Sequence, residues 1–331
     1  MPQSSVICIN SQKDVGTRAR QHPVRPSVCA GSLEESISSS LQLPVSTDPH
    51  FAAAIGHVLN HPGSLVRPRL VLQIGHAFGL DRVAGQNLAT ALEYFHTASL
   101  IFDDLPCMDD AEERRGAPCV HRAHGEHQAI LSALALINRA YVLLLKTIAT
   151  SSLDTRLEAI DYVDQCLGVE GLLNGQSLDL SYAKLPHTPE TTQRIAKGKT
   201  VSLIRLTLVL PAILGNASQR EIQLLERISL FWGLAYQMVD DLKDILQSAE
   251  QTGKTGARDA LLDRPNIAMV LGVPETQKRL QRMIAIGDHT LKSALRNRPS
   301  LGFLENMRDT LQGELDLVVG SPRARKMEGA L

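Results

Sequence analysis

Two groups of acidic residues have the types and the spacing that metal-assisted chemistry needs. Residues 103–115 read DDLPCMDDAEERR, and residues 240–244 read DDLKD. Each group follows an apolar stretch, and Asp240 and Asp244, four positions apart, share one face of a helix. Carboxylates at the ends of core helices are costly to desolvate when they are unpaired. Hard cations such as Mg²⁺ remove that cost, because they take oxygen ligands and share them with phosphate groups. The pattern therefore predicts a magnesium site built from both groups.

Basic residues accompany the acidic groups at breaks between the predicted helices, where a multiply charged anion can be held. A single acidic run is usually a solvated helix end, but two such runs with basic residues nearby favour a function. Carboxylate, divalent metal and polyanion together are the charge arrangement of diphosphate chemistry. The basic residues in question are Arg114, Arg115, Lys199, Lys254 and Arg258.

The composition limits the other classes of function. The chain has 331 residues, 44% of them hydrophobic, which is enough for a large buried core. Its 34 basic and 35 acidic residues give a net charge of −1, which argues against nucleic-acid binding. The five cysteines lack CxxC spacing, so neither a disulfide framework nor a zinc site is expected. No apolar run reaches the ~18–20 residues of a membrane span.

The elements that must position these residues are predicted to be helices. Strand signals are nearly absent, since aromatic residues make up 4% of the chain and alternating β-branched runs are missing. Segments rich in Ala, Leu and Ile are broken by Pro, Gly or polar clusters, which predicts one all-α domain of about ten helices at residues 33–318. The predicted helical segments are 50–60, 65–80, 84–105, 126–150, 154–180, 190–215, 218–248, 265–295 and 301–318.

The two ends differ from this domain. Residues 1–32 carry four basic residues against one acidic residue and lack the apolar region of a secretory signal, so a disordered basic arm is expected. Residues 319–331 are expected to be a frayed tail. A cytoplasmic location is predicted, with an organelle transit peptide as the alternative.

The motifs and their order resemble the trans-isoprenyl diphosphate synthases, the family of the farnesyl and geranylgeranyl diphosphate synthases. DDLPCMDDAEERRG is similar to the first aspartate-rich motif of that family in its longer form, and GLAYQMVDDLKD is similar to the second. EYFHTASL, GAPCVHRAHGE, GLLNGQSLDL and KGKT fall between them in the order of the family. The resemblance extends from about residue 62 to residue 272.

The resemblance implies an all-α bundle around a deep central cavity (the isoprenoid synthase fold), assembled as a homodimer. Three Mg²⁺ ions are expected to bridge the two motifs to the diphosphate of an allylic substrate, whose C–O bond then ionises so that isopentenyl diphosphate can attack the cation. The implied metal ligands are Asp103, Asp104, Asp109, Asp240, Asp241 and Asp244. The implied contacts to the allylic diphosphate are Arg114, Lys199 and Lys254, with Thr200 and Gln237 near the cation. Asp103, Asp104, Asp240, Lys199, Thr200 and Gln237 are the implied catalytic residues.

The implied isopentenyl diphosphate site departs from the family pattern. Where the family has a GGKRxRP-like stretch, residues 62–68 read PGSLVRP. Arg67 is kept, and so are His96 and Arg115, but Ser64 stands in place of a lysine and Leu65 in place of an arginine. The loss of one charge-assisted contact costs about 1.5–3 kcal/mol of binding free energy.

Three functions stay open at this stage. The first is chain elongation by a trans-prenyltransferase, with geranylgeranyl diphosphate as product, because Ala98 and Ser99 before the first motif are small. Phe95, Leu131 or Ala135 could form a second floor of the cavity. The second function is a terpene-synthase-like lyase, suggested by Ser64. The third is a regulatory subunit of an active synthase.

Overall fold

The computed structural model describes residues 30–246 and 262–319, and within these ranges the chain is almost entirely helical. Ten of the described α-helices have nine residues or more, in agreement with the predicted number. The helices are α1 Ala30–Ser40, α2 Pro49–Asn60, α3 Val66–Ala77, α4 Arg82–Asp103, α5 Val120–His124, α6 Glu126–Ile148, α7 Leu153–Leu167, α8 Leu172–Leu180, α9 Pro189–Ala196, α10 Ser202–Leu208, α11 Leu210–Leu214, α12 Gln219–Leu246, α13 Ile267–Leu271, α14 Val273–Asn297 and α15 Leu304–Val319.

Short irregular elements connect these helices. A π-helical turn at Lys197–Val201 joins α9 to α10, and 3₁₀ turns lie at Tyr182–Lys184 and Pro299–Phe303. The described strands, β1 Glu113–Arg114 and β2 Ala117–Pro118, form one antiparallel hairpin. Residues 1–29 of the predicted arm, Lys254, Arg258 and residues 320–331 of the predicted tail lie outside the described residues. The predicted bounds differ slightly from the structure, because residues 30–32 belong to α1 and residue 319 belongs to α15.

Helix starts follow the capping residues of the sequence. Thr188 accepts a hydrogen bond from Thr191 N at the start of α9, with Pro189 in the first helical turn. Asp48 and Asp81 accept from backbone N–H groups at the starts of α2 and α4 in the same way. These side chains satisfy donors that have no partner within the helix.

The predicted segment 154–180 is interrupted in the structure and forms two helices, α7 and α8. A Cβ atom on Gly171 would lie 2.1 Å from the carbonyl oxygen of Cys166, so the chain turns back on the end of α7 at a distance that only glycine permits. The break redirects α8 toward the C-terminal end of α4. The prediction of one continuous segment was wrong at this point, although Gly168 and Gly171 mark the break in the sequence.

The core is built around α4 and α12, the two helices that end in the acidic groups. α4 packs against α3 and α6, and α12 packs against α14. Trp232 of α12 and Tyr94 of α4 are among the largest fully buried side chains. Burial of both helices along their length fixes where their C-terminal ends lie, and it is at those ends that the carboxylates emerge.

One described helix, α6, is long and apolar enough to cross a membrane by length and composition alone, with 44% of its most apolar window buried inside the protein. Its buried residues, such as Leu136 and Leu143, pack in the core that it shares with α4. Packing in the core therefore accounts for the apolar residues on the buried side of α6, and a membrane span is not indicated. Leu131, Leu134, Tyr141 and Leu145 are exposed on its other side.

Candidate active site

The first acidic group forms a compact loop at the end of α4. Asp103 is the last helical residue, and the chain folds back so that Asp109 N donates to the carbonyl oxygen of Asp103 over 2.9 Å. Ala111 N donates to the carbonyl oxygen of Asp104 over 3.1 Å, and Asp110 adopts a left-handed conformation with φ 49°. These bonds bring Asp109 close to the end of α4.

Asp103 lies in a crowded, buried environment. Its carboxylate accepts a hydrogen bond from Gln176 Nε2 of α8 over 2.7 Å. Burial raises the pKa of Asp103 to about 6; the Lys199 ammonium lowers it, while the carboxylates of Asp109 and Asp179 raise it further. A carboxylate in such surroundings gains more than an exposed one from a nearby cation.

Asp104 is held by the first arginine of the RRG sequence. Arg114 Nη2 lies 2.5 Å from Asp104 Oδ1, and Arg114 Nε donates to the same oxygen over 3.1 Å. Arg114 belongs to the short β hairpin, whose turn has Arg115 at φ 55° and Gly116 at φ 75°. The hairpin therefore turns the two consecutive arginines toward different partners.

Lys199 enters the site from the π-helical turn. Single-turn π segments are rare and frequent at functional sites. The turn packs directly on α8, because a Cβ on Gly175 would lie 2.3 Å from the backbone nitrogen of Lys199. Lys199 Nζ donates to Asp179 Oδ2 over 2.8 Å. Burial lowers the pKa of Lys199, but the carboxylates of Asp179 and Asp103 outweigh it and leave the pKa raised, so the side chain is an ammonium ion.

The second acidic group has two faces. Asp240 is exposed and Asp244 is half-buried, whereas Asp241 is only 1% exposed. Asp241 accepts from Gln237 Nε2 over 2.8 Å and from the backbone N–H of Ile267 over 2.8 Å. Asp241 thus anchors the start of α13, a contact that supports a positioning role beside its prediction as a metal ligand.

Hydrogen bonds and an ion pair join the two acidic groups into one site. Thr200 Oγ1 donates to Gln237 Oε1 over 2.6 Å, so the π-helical turn that carries Lys199 is bonded to α12. From the other side, Arg264 Nη2 lies 2.7 Å from Asp109 Oδ1. Thr200 thus connects the π-helical turn to the helix of the second acidic group, and Arg264 connects the first acidic group to the segment before α13.

The implied isopentenyl diphosphate residues form a second basic cluster. Arg67 Nη1 donates to His96 Nε2 over 3.0 Å, and Arg115 Nη2 lies 3.2 Å from Glu93 Oε1. Neither Arg67 Nε nor His96 Nδ1, both buried, has a hydrogen-bond partner among the described residues. Buried donors without partners are rare in proteins, so they point to an anion that binds here.

The departures at Ser64 and Leu65 have different structural consequences. Ser64 is exposed, next to Gly63, on which the Arg115 guanidinium rests: a Cβ there would lie 2.7 Å from Arg115 Nη2. Leu65 is buried and precedes α3 with φ 53°. Leu65 therefore packs in the core, while position 64 has room for a longer side chain.

Within residues 30–246 and 262–319, no three His, Cys, Asp or Glu side chains stand together as a ready-made metal site. The first acidic group is instead paired with cations and amides of the protein, as at Asp104 and Arg114. The donor set fits Mg²⁺ all the same: it consists of carboxylate oxygens, which this ion prefers, and burial, with repulsion from Asp109 and Asp179, raises the pKa of Asp103.

Several residues of the site were not predicted individually. Gln176 and Asp179 lie in the quoted GLLNGQSLDL segment, and their polar types within an apolar helix were the available signal. Arg264, which pairs with Asp109, was not among the basic residues singled out in the sequence. Glu93, buried beside Arg115, has its pKa raised mainly by burial.

Comparison with known proteins identifies the family. The polyprenyl synthetase family model matches residues 48–297. Geranylgeranyl pyrophosphate synthase 12, chloroplastic, of Arabidopsis thaliana is 33% identical over 261 residues, covering 76% of this chain and 72% of the relative. Geranylgeranyl diphosphate synthase of Pantoea ananas is 35% identical over 237 residues, covering 70% of this chain and 76% of the relative.

The fold is shared with solved structures. A geranyltransferase of Helicobacter pylori, complexed with magnesium and isoprenyl diphosphate, superposes with a TM-score of 0.71 at 24% identity, covering 88% of this chain and 93% of that one. The isoprenoid synthase fold implied by the sequence is thereby confirmed. The chain belongs to the polyprenyl synthetase family and is a trans-prenyltransferase of the geranylgeranyl and farnesyl diphosphate synthase type.

Proposed function

We propose that the chain condenses an allylic diphosphate with isopentenyl diphosphate in a magnesium-dependent reaction that ends at geranylgeranyl diphosphate. The observation that carries this proposal is the joining of both acidic groups with Lys199 and Arg114 at the C-terminal ends of α4 and α12. An isolated acidic helix end would need none of these connections.

The metal would be held by carboxylate oxygens of both groups, namely those of Asp103, Asp104, Asp109, Asp240 and Asp244, with Asp241 supporting them from behind. Three ions per site remain the number implied by the family resemblance, and the Helicobacter pylori neighbour was solved with magnesium. When bound, the ions supply the positive charge that stabilises the departing diphosphate.

The protein's own cations complete the binding of the allylic diphosphate. Arg114 and Lys199 already face carboxylates of the first group, so their charges lie where a metal-bound diphosphate would be. Lys254 is proposed as a third contact. Preorganised charges of this kind stabilise negative charge as it develops on a leaving group.

Thr200 and Gln237 orient the region next to these cations. The Gln237 amide donates to Asp241 and accepts from Thr200, so both of its polar atoms are fixed. The side-chain oxygens of Thr200 and Gln237 are the polar groups proposed to lie near the allylic cation. A hydrogen-bonded pair needs no reorganisation when charge develops, which is the source of electrostatic preorganisation.

The second substrate is proposed to bind at Arg67, His96 and Arg115. Arg67 Nε and His96 Nδ1 are the buried donors that its diphosphate would satisfy. Ser64, at the rim of this cluster, offers a hydroxyl where the family has an ammonium. We therefore expect a weaker isopentenyl diphosphate site than in relatives that keep the lysine.

The product length is proposed from the side chains one turn before Asp103. Ala98 is fully buried, and Ser99 folds its hydroxyl back onto the carbonyl oxygen of His96 over 2.8 Å, so neither projects a large group. Phe95, one turn earlier in α4, packs edge-on against Tyr141 with ring centroids 4.9 Å apart. Of the other two predicted floor residues, Leu131 is 47% exposed on α6 and Ala135 is half-buried on the same helix.

The test is a product analysis. Purified protein is incubated with Mg²⁺, isopentenyl diphosphate and either dimethylallyl, geranyl or farnesyl diphosphate, and the products are measured by mass spectrometry. Geranylgeranyl diphosphate from all three primers is the expected result, and EDTA should abolish it. Recovery of every primer unchanged in the presence of Mg²⁺ would overturn the proposal.

A lyase is the second candidate, because Ser64 and Leu65 alter the isopentenyl diphosphate site while the proposed ionisation site keeps all its residues. The same incubation without isopentenyl diphosphate distinguishes the two. A hydrocarbon or alcohol released from the primer alone would favour the lyase.

The chain is further proposed to form a homodimer through the outer faces of α6 and α7. Leu134, Tyr141 and Leu145 of α6 are exposed, as are Leu153 and Leu157 of α7. Exposed apolar residues clustered on neighbouring helices are typical of interaction sites. The regulatory-subunit alternative predicts an inactive homodimer that changes the products of an active synthase.

The cellular location stays a prediction. The Arabidopsis relative is named as chloroplastic, which supports the organelle alternative, and the Pantoea relative is bacterial. Import of a fusion of residues 1–60 to a fluorescent protein into isolated plastids would decide for the organelle, and exclusion would favour the cytoplasm.

A further inference from the structure

Arg264 links the segment after the second acidic group to the loop of the first. Its Nη2 atom lies 2.7 Å from Asp109 Oδ1 and 2.9 Å from the carbonyl oxygen of Met108. The side chain is only 11% exposed, so the ion pair is shielded from solvent. The contacting residues lie 155 and 156 positions apart in the sequence, so Arg264 holds together two loops that are distant along the chain.

The residues that follow Arg264 are bound to the second acidic group. Asn266 Nδ2 donates to the carbonyl oxygen of Asp241 over 3.0 Å, and Ile267 N donates to its Oδ2 over 2.8 Å. The segment 264–267 therefore touches both acidic groups within four residues, and Asp241 fixes the place from which Arg264 reaches across.

We propose that Arg264 is an exchangeable counter-ion of Asp109. Without metal, Arg264 holds the loop of the first acidic group against the helix of the second. When Mg²⁺ binds, Arg264 releases the Asp109 carboxylate to the metal. This inference rests on the proposed function, since it takes Asp109 as a metal ligand.

The two acceptors of Arg264 give it this capacity. The bond to Asp109 is charge-assisted and competes with a metal for the same carboxylate. The bond to the Met108 carbonyl does not depend on the charge of Asp109, so it can keep the loop in place after the carboxylate turns to the metal. Arg264 is in this sense a positioning residue.

The arginine also has an electrostatic cost for metal binding. A buried guanidinium next to Asp109 offsets the negative charge that attracts Mg²⁺, so removal of its charge should strengthen the binding of the ion to the free protein. The same removal takes the charge of Arg264 away from the Asp109 carboxylate, which should lower the stability of the fold more in the absence of metal than in its presence.

The experiment compares Arg264→Gln and Arg264→Lys with the wild type and with Arg279→Gln as a control. Arg279 forms an ion pair with Glu275 within α14. Mg²⁺ binding to the protein without substrate is measured by calorimetry. Thermal unfolding is followed in EDTA, and again with Mg²⁺ and inorganic diphosphate.

For Arg264→Gln we expect Mg²⁺ to bind on the order of tenfold more tightly, in line with the loss of one charge-assisted competitor. Its unfolding temperature should fall in EDTA, and the difference from the wild type should shrink with Mg²⁺ and diphosphate. Arg264→Lys should bind Mg²⁺ as the wild type does, because the charge is kept, and Arg279→Gln should behave as the wild type in both measurements.

Unchanged or weaker Mg²⁺ binding by Arg264→Gln would overturn the exchange, and so would an equal loss of stability with and without metal. These readouts do not require turnover. A wild-type protein that makes no prenyl diphosphate would refute the proposed function and leave the comparison of Mg²⁺ binding intact.

Discussion

Arg67 donates a hydrogen bond to His96 Nε2 over 3.0 Å, and this bond fixes the protonation state of the histidine. A guanidinium can only donate, so Nε2 must be unprotonated and the single ring proton resides on Nδ1. Burial lowers the pKa of His96 to about 2, and the nearby charges of Arg67 and Arg115 contribute. The imidazole is therefore neutral at physiological pH and presents Nδ1–H as a donor that has no partner in the described part of the chain.

This state predicts an acid-sensitive contribution to stability. Below its ordinary pKa of 6.5, His96 binds a proton in the unfolded chain but not in the folded one, so the free energy of unfolding falls as the pH decreases from 6.5 toward 2. The slope is at most about 1.4 kcal/mol per pH unit. His96→Gln removes the titrating group and should flatten the dependence between pH 7 and pH 5, as measured by urea denaturation. Parallel curves for the two proteins would contradict the prediction.

A lysine at position 64 should strengthen isopentenyl diphosphate binding. Ser64 is exposed beside the Arg115 guanidinium, and a charge-assisted contact there is worth about 1.5–3 kcal/mol. We expect Ser64→Lys to lower the KM for isopentenyl diphosphate roughly tenfold with little change in the KM for the allylic primer. Ser64→Ala serves as the control and should leave both constants unchanged. An unaltered KM in Ser64→Lys would mean that this position does not face the substrate.

Loss of a carboxylate from either acidic group should abolish turnover. Asp103→Asn and Asp240→Ala each remove a proposed metal ligand, and we expect kcat to fall by roughly a thousandfold or more, corresponding to about 4 kcal/mol. Asp110→Asn is the matched control, because Asp110 pairs with Arg122 at the surface. Steady-state kinetics at saturating Mg²⁺ provide the measurement. Equal losses in Asp110→Asn and Asp103→Asn would indicate a general effect of charge on the loop.

The sequence was sufficient for the fold class and for the residues at the helix ends, because both depend on local patterns. Apolar segments broken by Pro and Gly predicted the helices, and the spacing of Asp240 and Asp244 placed them on one face. Asp241 has a positioning role because it accepts a hydrogen bond from the backbone N–H of Ile267, a contact that exists only in the folded chain. The link between Arg264 and Asp109 joins positions 155 residues apart, and no local pattern encodes it.

The π-helical turn was also beyond the reach of sequence patterns, although it follows from the packing of two glycines. The Cβ position of Gly175 lies 2.3 Å from the backbone nitrogen of Lys199, and that of Gly198 lies 2.8 Å from the Cα atom of Gly175. Each glycine thus requires the other, whereas a propensity scale treats them separately as weak helix formers.

This packing predicts a strong effect of Gly175→Ala. The added methyl group would push the π-helical turn away from α8 and move Lys199 relative to Asp179, with an expected stability loss of about 1–3 kcal/mol. Activity should fall by more than the unfolded fraction explains, with an increased KM for the allylic primer. Gly56→Ala in α2 is the control, since nothing lies within 4 Å of its Cβ position and alanine favours the helix. Wild-type activity in folded Gly175→Ala would contradict the proposed placement of Lys199.

Product length gives the final prediction, because it depends on side-chain volume below Asp103. Ser99 is partly buried and its hydroxyl bonds to its own helix, so Ser99→Phe can project a ring into the space that the growing chain needs. We expect this variant to release mainly farnesyl diphosphate. Phe95→Ala opens the next turn of α4 and should extend the product beyond 20 carbons if the Phe95 and Tyr141 rings form the floor. Ser99→Ala, which changes volume little, should keep the wild-type product. Mass spectrometry of the three product mixtures checks the order of the two positions along the cavity, and an unaltered product from Ser99→Phe would place the growing chain elsewhere.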